Sequence, residues 1–146
     1  MTKLTIGDTF TLLSGQKIPS LGFGVYESKP EVTQNSVSCA LKAGYRHVDS
    51  AQYYENEGEV GRAVLASGVP REQVFVTTKI INPVNDSVEE TYKSCKESVE
   101  KTGLKYLDLF LIHTPTSGPK GREIMWKALE KVQREGSVRS IGVSNL

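Results

Sequence analysis

Four apolar runs, each closed by a polar residue, recur along this chain with a helix-like segment between one and the next. They are Arg46-His47-Val48-Asp49, Val74-Phe75-Val76-Thr77-Thr78-Lys79, Asp108-Leu109-Phe110-Leu111-Ile112-His113 and Ser140-Ile141-Gly142-Val143-Ser144-Asn145. A strand–helix alternation repeating every roughly 30 residues calls for parallel strands joined by right-handed crossover helices. Such strands are covered on both faces, which leaves an open α/β sheet or a βα barrel as the solutions. Both architectures gather ligands at the carboxyl ends of their strands. The polar residues that close the runs are therefore the candidate site.

The rest of the chain fills in that frame. Leu4-Thr5-Ile6 and Thr9-Phe10-Thr11-Leu12, with Gly7-Asp8 between them, predict an N-terminal hairpin. Leu21 to Gly24 predicts a short strand. A helix is expected from Pro30 to Ala43, with Val32, Ser36, Cys39, Ala40 and Ala43 on its inner face, ending at Gly44. A second is expected from Asn56 to Ala66, with Val60, Ala63 and Val64 inward. A third follows an Asp86 or Ser87 cap and carries Val88, Tyr92, Cys95 and Val99 to a stop at Gly103. The fourth, Arg122 to Arg134, places Ile124, Met125, Ala128, Leu129 and Val132 at core spacing, with Trp126 read as core beside Met125. The fold class expected is α/β, with five parallel strands and four helices after the hairpin.

Charge and cysteine usage narrow the function. A formal net charge of +1 with both signs interspersed gives no electrostatic footprint for nucleic acid. No run is long enough to span a membrane. Cys39 and Cys95 are far apart and lack nearby Cys or His partners, so neither a disulfide framework nor a metal site is expected, and the setting expected is the reducing cytoplasm.

Strand alternation then groups the polar ends. Phe75, Thr77 and Lys79 share one face, His47 and Asp49 another, and Leu109, Leu111 and His113 a third. If these faces point into a barrel, Asp49, Lys79 and His113 meet at one rim. Asp49 and Lys79 can form a shielded ion pair that fixes an ammonium. An ammonium beside a phenol favours phenolate and makes the phenol a readier proton donor. Tyr54, five residues past Asp49, is placed to be that phenol, and His113 can donate to a substrate oxygen. Such a set polarises a carbonyl and protonates its oxygen but holds no reductant, which implies a hydride cofactor. Each residue alone has a packing explanation; joint placement at successive strand ends carries the catalytic one. His47 is read as interior packing, and Glu57, Glu59, Glu89 and Glu90 as helix-start or solvated charges. Gly22-Phe23-Gly24 lacks the third glycine of a dinucleotide fingerprint.

Several stretches resemble the aldo-keto reductases. The longest is Gly44-Tyr45-Arg46-His47-Val48-Asp49-Ser50-Ala51-Gln52-Tyr53-Tyr54-Glu55-Asn56-Glu57. Ile18 to Tyr26, Thr78-Lys79, Leu111-Ile112-His113-Thr114-Pro115 and Ile141-Gly142-Val143-Ser144-Asn145 follow the same pattern in order. The resemblance implies a (β/α)8 TIM barrel that reduces an aldehyde or ketone with NADPH, less often NADH. It implies Tyr54 as general acid, Lys79 and Asp49 as the pair tuning it, and His113 as the group orienting the carbonyl. Ser144 and Asn145 would bind the nicotinamide carboxamide, with Gly24, Val25 and Asp49 along the cofactor. Tyr26, where many relatives carry Trp, would line the substrate pocket with Tyr54 and His113. The short loop from Thr114 to Gly121 implies an open pocket.

A closed barrel of this type usually needs about 250 residues or more, and this chain has 146. The expectation is a partial barrel, residues 1–146 forming a single domain that corresponds to its N-terminal portion. In the family, the groups binding pyrophosphate, adenine and 2′-phosphate come mostly after strand five. Weak cofactor binding and self-association through open sheet edges are expected of the chain as given. The competing reading is a truncated relative without turnover, with an interaction role or none.

Overall fold

The computed structural model describes residues 5–145. An antiparallel hairpin, β1 (Thr9–Thr11) and β2 (Lys17–Pro19), precedes five parallel strands. These are β3 (Phe23–Gly24), β4 (His47–Asp49), β5 (Phe75–Ile80), β6 (Leu107–Ile112) and β7 (Val138–Val143), hydrogen-bonded in chain order. The helices α1 (Pro30–Lys42), α2 (Glu57–Ala66), α3 (Val88–Thr102) and α4 (Gly118–Arg134) fill the four crossovers, and each packs on the next. This is the expected α/β arrangement of five parallel strands and four helices.

The core lies between the outer face of the sheet and the helices. Val48, Val76 and Phe110 project from the strands, and Val37, Val60, Cys95 and Leu129 meet them from α1 to α4, all with 1% exposure or less. The opposite face carries Thr77, Lys79, Leu109, Leu111, Ser140 and Gly142, related by the pairings Thr77↔Leu109, Lys79↔Leu111, Leu109↔Ser140 and Leu111↔Gly142. Register extends this row through Asp49↔Thr77 to Gly24↔Asp49. Leu109 and Leu111 are only half-buried, because this inner face has no opposing layer among the described residues.

Local chemistry sets the boundaries. The Ser87 hydroxyl caps α3 by accepting from Glu90 N–H at 3.3 Å, and Gly103 ends it at φ +67°, a conformation open to glycine without strain. Gly61 lies where α2 crosses the end of α3. A Cβ there would fall 1.8 Å from the Thr102 carbonyl oxygen, so only glycine allows the approach.

The N-terminal hairpin differs from expectation. Thr5 to Asp8 form a turn ahead of it, with Asp8 accepting from Thr5 N–H at 2.6 Å, and Leu4 lies outside the described residues. The hairpin loop is instead Leu12 to Gln16, closed by a Leu12 N–H to Gln16 carbonyl bond of 2.8 Å with Gly15 at φ +82°. Thr9–Thr11 therefore pairs forward with Lys17–Pro19, not backward with Leu4–Ile6. The buried face of α1 also differs: Thr33, Val37, Ala40 and Leu41 point inward, while Val32 and Cys39 are exposed. Thr33 goes inside because its hydroxyl bonds the Ser28 and Lys29 carbonyls. α4 begins at Gly118 with Pro119 in its first turn, shortening the expected loop. Trp126 is exposed and donates to Glu130 at 3.0 Å, so it is not core.

The hairpin lies across the amino ends of the strands, where Ser14 and Ser140 share a hydroxyl–hydroxyl bond of 2.7 Å. On that side Tyr106 is sandwiched between the Arg71 and Arg139 guanidinium groups, 4.2 and 3.7 Å from its ring centre. Arg71 also pairs with Asp108 at 2.7 Å, and Asp108 accepts from Val76 N–H. Among the described residues no helix is long and apolar enough to cross a membrane.

Candidate active site

Parallel pairing delivers the polar strand ends to one rim. Asp49 closes β4 and Lys79 projects from β5 on the same inner face. Their side chains meet at 2.8 Å, and the ammonium also donates to the Ser50 carbonyl at 2.8 Å. Lys79 is 6% exposed, so its charge is held by these two oxygens and not by water.

Tyr54 reaches the same ammonium from the 3₁₀ turn Gln52–Tyr54 that follows β4. Lys79 Nζ donates to the Tyr54 hydroxyl at 3.4 Å and lies 4.9 Å from the ring centre. Its neighbour Tyr53 points outward, 63% exposed. The turn thus chooses between two adjacent phenols. Glu55, at φ +55°, then turns the chain into α2.

His113 follows β6 and sets its ring edge-on to Tyr54, centres 5.6 Å apart. Tyr26, after β3, packs on the other side at 5.0 Å. Burial and the Lys79 charge push the His113 pKa below the usual histidine value, and Asp49 only partly opposes them. At neutral pH the ring is therefore neutral. Its Nδ1 is buried without a protein partner among the described residues.

Ser144 and Asn145 lie beside His113. Ser144 N–H donates to the Ile112 carbonyl at 2.9 Å, and the Asn145 amide donates to the His113 carbonyl at 2.9 Å and to Ser144 Oγ at 3.1 Å. Gly24 stands level with Asp49 across the rim, with open space where a side chain would be. Val25 turns its side chain into the core at 1% exposure, so only its backbone faces the rim, with Val25 N–H donating to the Asp49 carbonyl. Asp49, Tyr54, Lys79 and His113 thus come together with Tyr26 around them, and Gly24, Val25, Ser144 and Asn145 border the same opening.

Two cavities lie elsewhere. One of about 290 Å³ sits under the hairpin against Arg46, Asp108 and Arg139. A cleft of about 670 Å³ runs along β7 between Leu109, Leu111 and Trp126. Neither contains Tyr54.

Glu57, expected to be a helix-start or solvated charge, does open α2 but is only 4% exposed. Its carboxylate accepts from Thr78 Oγ1 and from Ser98 Oγ, and burial raises its pKa despite these bonds. Asn56 and Ser50, also overlooked in the sequence, are buried next to the turn that carries Tyr54. Asn and Glu opening a helix look like ordinary capping, and no periodicity distinguishes the buried case. His47, read as interior packing, is half-buried against Phe75 and bonded to Thr77 Oγ1 at 2.9 Å.

The Aldo/keto reductase family profile matches residues 20–146. An aldo-keto reductase of Mycolicibacterium smegmatis is 44% identical over 92% of this chain and 49% of its own length. A 9,11-endoperoxide prostaglandin H2 reductase of Trypanosoma cruzi is 47% identical over 92% of this chain and 47% of its own. The chain thus spans about half the length of these curated relatives. Among solved structures, an aldo/keto reductase from Brucella melitensis superposes with a TM-score of 0.90 at 43% identity, over 96% of this chain and 54% of that one. The aldose reductase from Schistosoma japonicum gives 0.82 at 34% identity, over 93% and 52%.

Proposed function

The chain belongs to the aldo-keto reductase family, and on that premise we propose that its rim reduces an aldehyde or ketone to an alcohol with NADPH, NADH being the lesser choice. The observation that carries this is the Asp49–Lys79–Tyr54 chain of contacts, at 2.8 and 3.4 Å, with a neutral His113 beside it.

Lysine donates to the phenol oxygen, which leaves the Tyr54 hydrogen to point at a substrate oxygen. Asp49 keeps the ammonium charged and in place. Tyr54 is the proton donor; His113, held neutral, contributes a hydrogen bond that orients the carbonyl. Tyr26 borders the substrate position.

The residues present fit the nicotinamide end of a cofactor. Ser144 and Asn145 offer amide and hydroxyl groups for the carboxamide. Gly24, the Val25 backbone and Asp49 leave room along the opposite edge, and the buried His113 Nδ1 awaits a polar partner. When bound, the cofactor supplies the hydride. In this reading residues 1–146 are the N-terminal portion of one barrel domain, acting in the cytoplasm with Cys39 and Cys95 as thiols.

The test supplies the complementary βα units of a relative, in cis or in trans. Tyr54→Phe should then lower kcat by orders of magnitude while leaving cofactor binding nearly intact. Unchanged turnover would sink the assignment.

A second reading is an association role without turnover. It is favoured by the exposed cleft along β7, bordered by Trp126 and Val143, whose natural occupant for an isolated chain is a second copy.

A further inference from the structure

Next to the turn that carries Tyr54 lies a set of buried polar groups that the chemistry above does not use. Asn56 has no solvent exposure. Its amide nitrogen donates to the Val25 carbonyl at 2.9 Å and to the Ser28 carbonyl at 3.0 Å, and its oxygen accepts from Ser50 Oγ at 2.8 Å. Ser50 in turn offers the carbonyl that seats the Lys79 ammonium. A continuous path therefore runs from the turn flanking Tyr26, through Asn56 and Ser50, to the lysine touching Tyr54.

Glu57 makes a parallel connection. It accepts from Thr78, the chain neighbour of Lys79 on β5, and from Ser98 on α3. Ser98 also accepts from Gln52 Nε2 at 2.9 Å, and Gln52 opens the turn that carries Tyr54. Both ends of the Tyr54 turn are thus fastened to the elements that hold Lys79.

Ordinary helix-start chemistry does not explain these two residues. Asn56 occupies the N-cap of α2, yet its side chain makes no capping bond. An asparagine there normally gives its oxygen to a helix N–H; here that oxygen goes to Ser50. Glu57 could serve the helix dipole equally well from solvent, where its charge would carry no desolvation penalty. Both side chains forgo the local optimum and bind the site's scaffold instead, the pattern seen where stability yields to geometry.

We infer that Asn56 and Glu57 are positioning residues for Tyr54: Asn56 fixes the carbonyl that seats Lys79 and the turn that carries Tyr26, and Glu57 fixes the Tyr54 turn to the strand bearing Lys79. The inference rests on the reading of Tyr54 as proton donor tuned by Lys79, and its test separates the two.

The 146-residue chain is labelled with ¹³Cζ-tyrosine, and the Tyr54 resonance, identified by its loss in Tyr54→Phe, is followed by NMR as pH rises. The titratable and charged groups facing Tyr54 are Lys79, Asp49, His113 and Tyr26, and their variants serve as references. Lys79→Met moves the Tyr54 midpoint; this checks the underlying reading. Asn56→Ala and Glu57→Ala each move it in the same direction by at least half as much. Glu57→Gln, which keeps an oxygen for Thr78 and can donate its amide nitrogen to the Ser98 hydroxyl, restores the wild-type midpoint. Leu129→Ala, in the core of α4, lowers the melting temperature without moving it, as a purely structural defect should.

Folded Asn56→Ala and Glu57→Ala proteins with the wild-type midpoint, alongside a shifted Lys79→Met, overturn the positioning role and leave the proton-donor reading standing. A Lys79→Met protein with an unmoved midpoint overturns both. If Asn56→Ala does not fold, Ser50→Ala, which removes a single hydroxyl, carries the same two outcomes.

Discussion

A half-buried histidine beside a charged pair records how each residue is tuned by its surroundings. Burial lowers the His47 pKa from its usual 6.5; Asp49 opposes this in part and Lys79 adds to it. The unfolded chain therefore takes up the His47 proton before the folded one does. Folding stability should fall as pH drops through about 6.5, by at most about 1.4 kcal/mol per pH unit for this one proton. The buried carboxylates Glu57 and Asp108, with raised pKa values, act in the opposite sense and lose stabilisation as pH rises. Denaturant midpoints of wild type and His47→Gln between pH 7 and 5 isolate the histidine: the variant should show the shallower acid-side decline. Identical slopes would mean that His47 does not titrate as described. At this scale Asp49, Lys79 and His113 were legible because strand alternation fixes which side chains share a face, and Tyr54 because it follows Asp49 by five residues in the turn after β4. Glu57 was not, since a carboxylate at a helix start has the same sequence appearance whether water or Thr78 receives it.

Elements are joined here by close helix contacts as much as by apolar stripes. Gly61→Ala would drive a methyl into the Thr102 carbonyl at the α2–α3 crossing. Backbone must yield there, so the change should cost at least the about 1–3 kcal/mol typical of overpacking, against near neutrality for Gly58→Ala one turn earlier, where the nearest atoms lie 3.3 Å away. Thermal melts of the two variants decide it. The α4 stripe was read correctly from spacing because Ile124, Met125, Ala128, Leu129 and Val132 are all apolar. The α1 stripe was misread because its inner face includes Thr33, whose hydroxyl is satisfied by backbone carbonyls, while apolar Val32 faces water. The hairpin was misplaced by one strand because Gly7-Asp8 and Ser14-Gly15 are equally good turn signals, and only long-range docking of the loop selects the second.

For the whole molecule, the decisive fact is an inner sheet face that has no opposing layer among the described residues. Leu109 and Leu111 remain half-buried, and Leu13, Trp126 and Val143 are exposed around the same cleft. Expressed alone, the 146-residue chain should elute from size exclusion as a dimer or larger species, and light scattering showing a stable monomer would contradict this. NADPH fluorescence titration of the same sample should give affinity far weaker than micromolar if, as proposed above, the rim holds only the nicotinamide end of the cofactor. The partial barrel was legible from the strand–helix repeat; which surface lies open was not, since β7 reads like any interior strand.

The hydroxyl bond between Ser14 and Ser140 spans 126 residues of chain. Bringing its two partners together costs loop-closure entropy, so the contact is a slow, non-local one. Ser14 precedes Ser140 in the chain, so the hairpin loop is made before the strand that anchors it. The loop Leu12–Gln16 is therefore a clock hand for this sheet: a fluorophore there would report the arrival of β7.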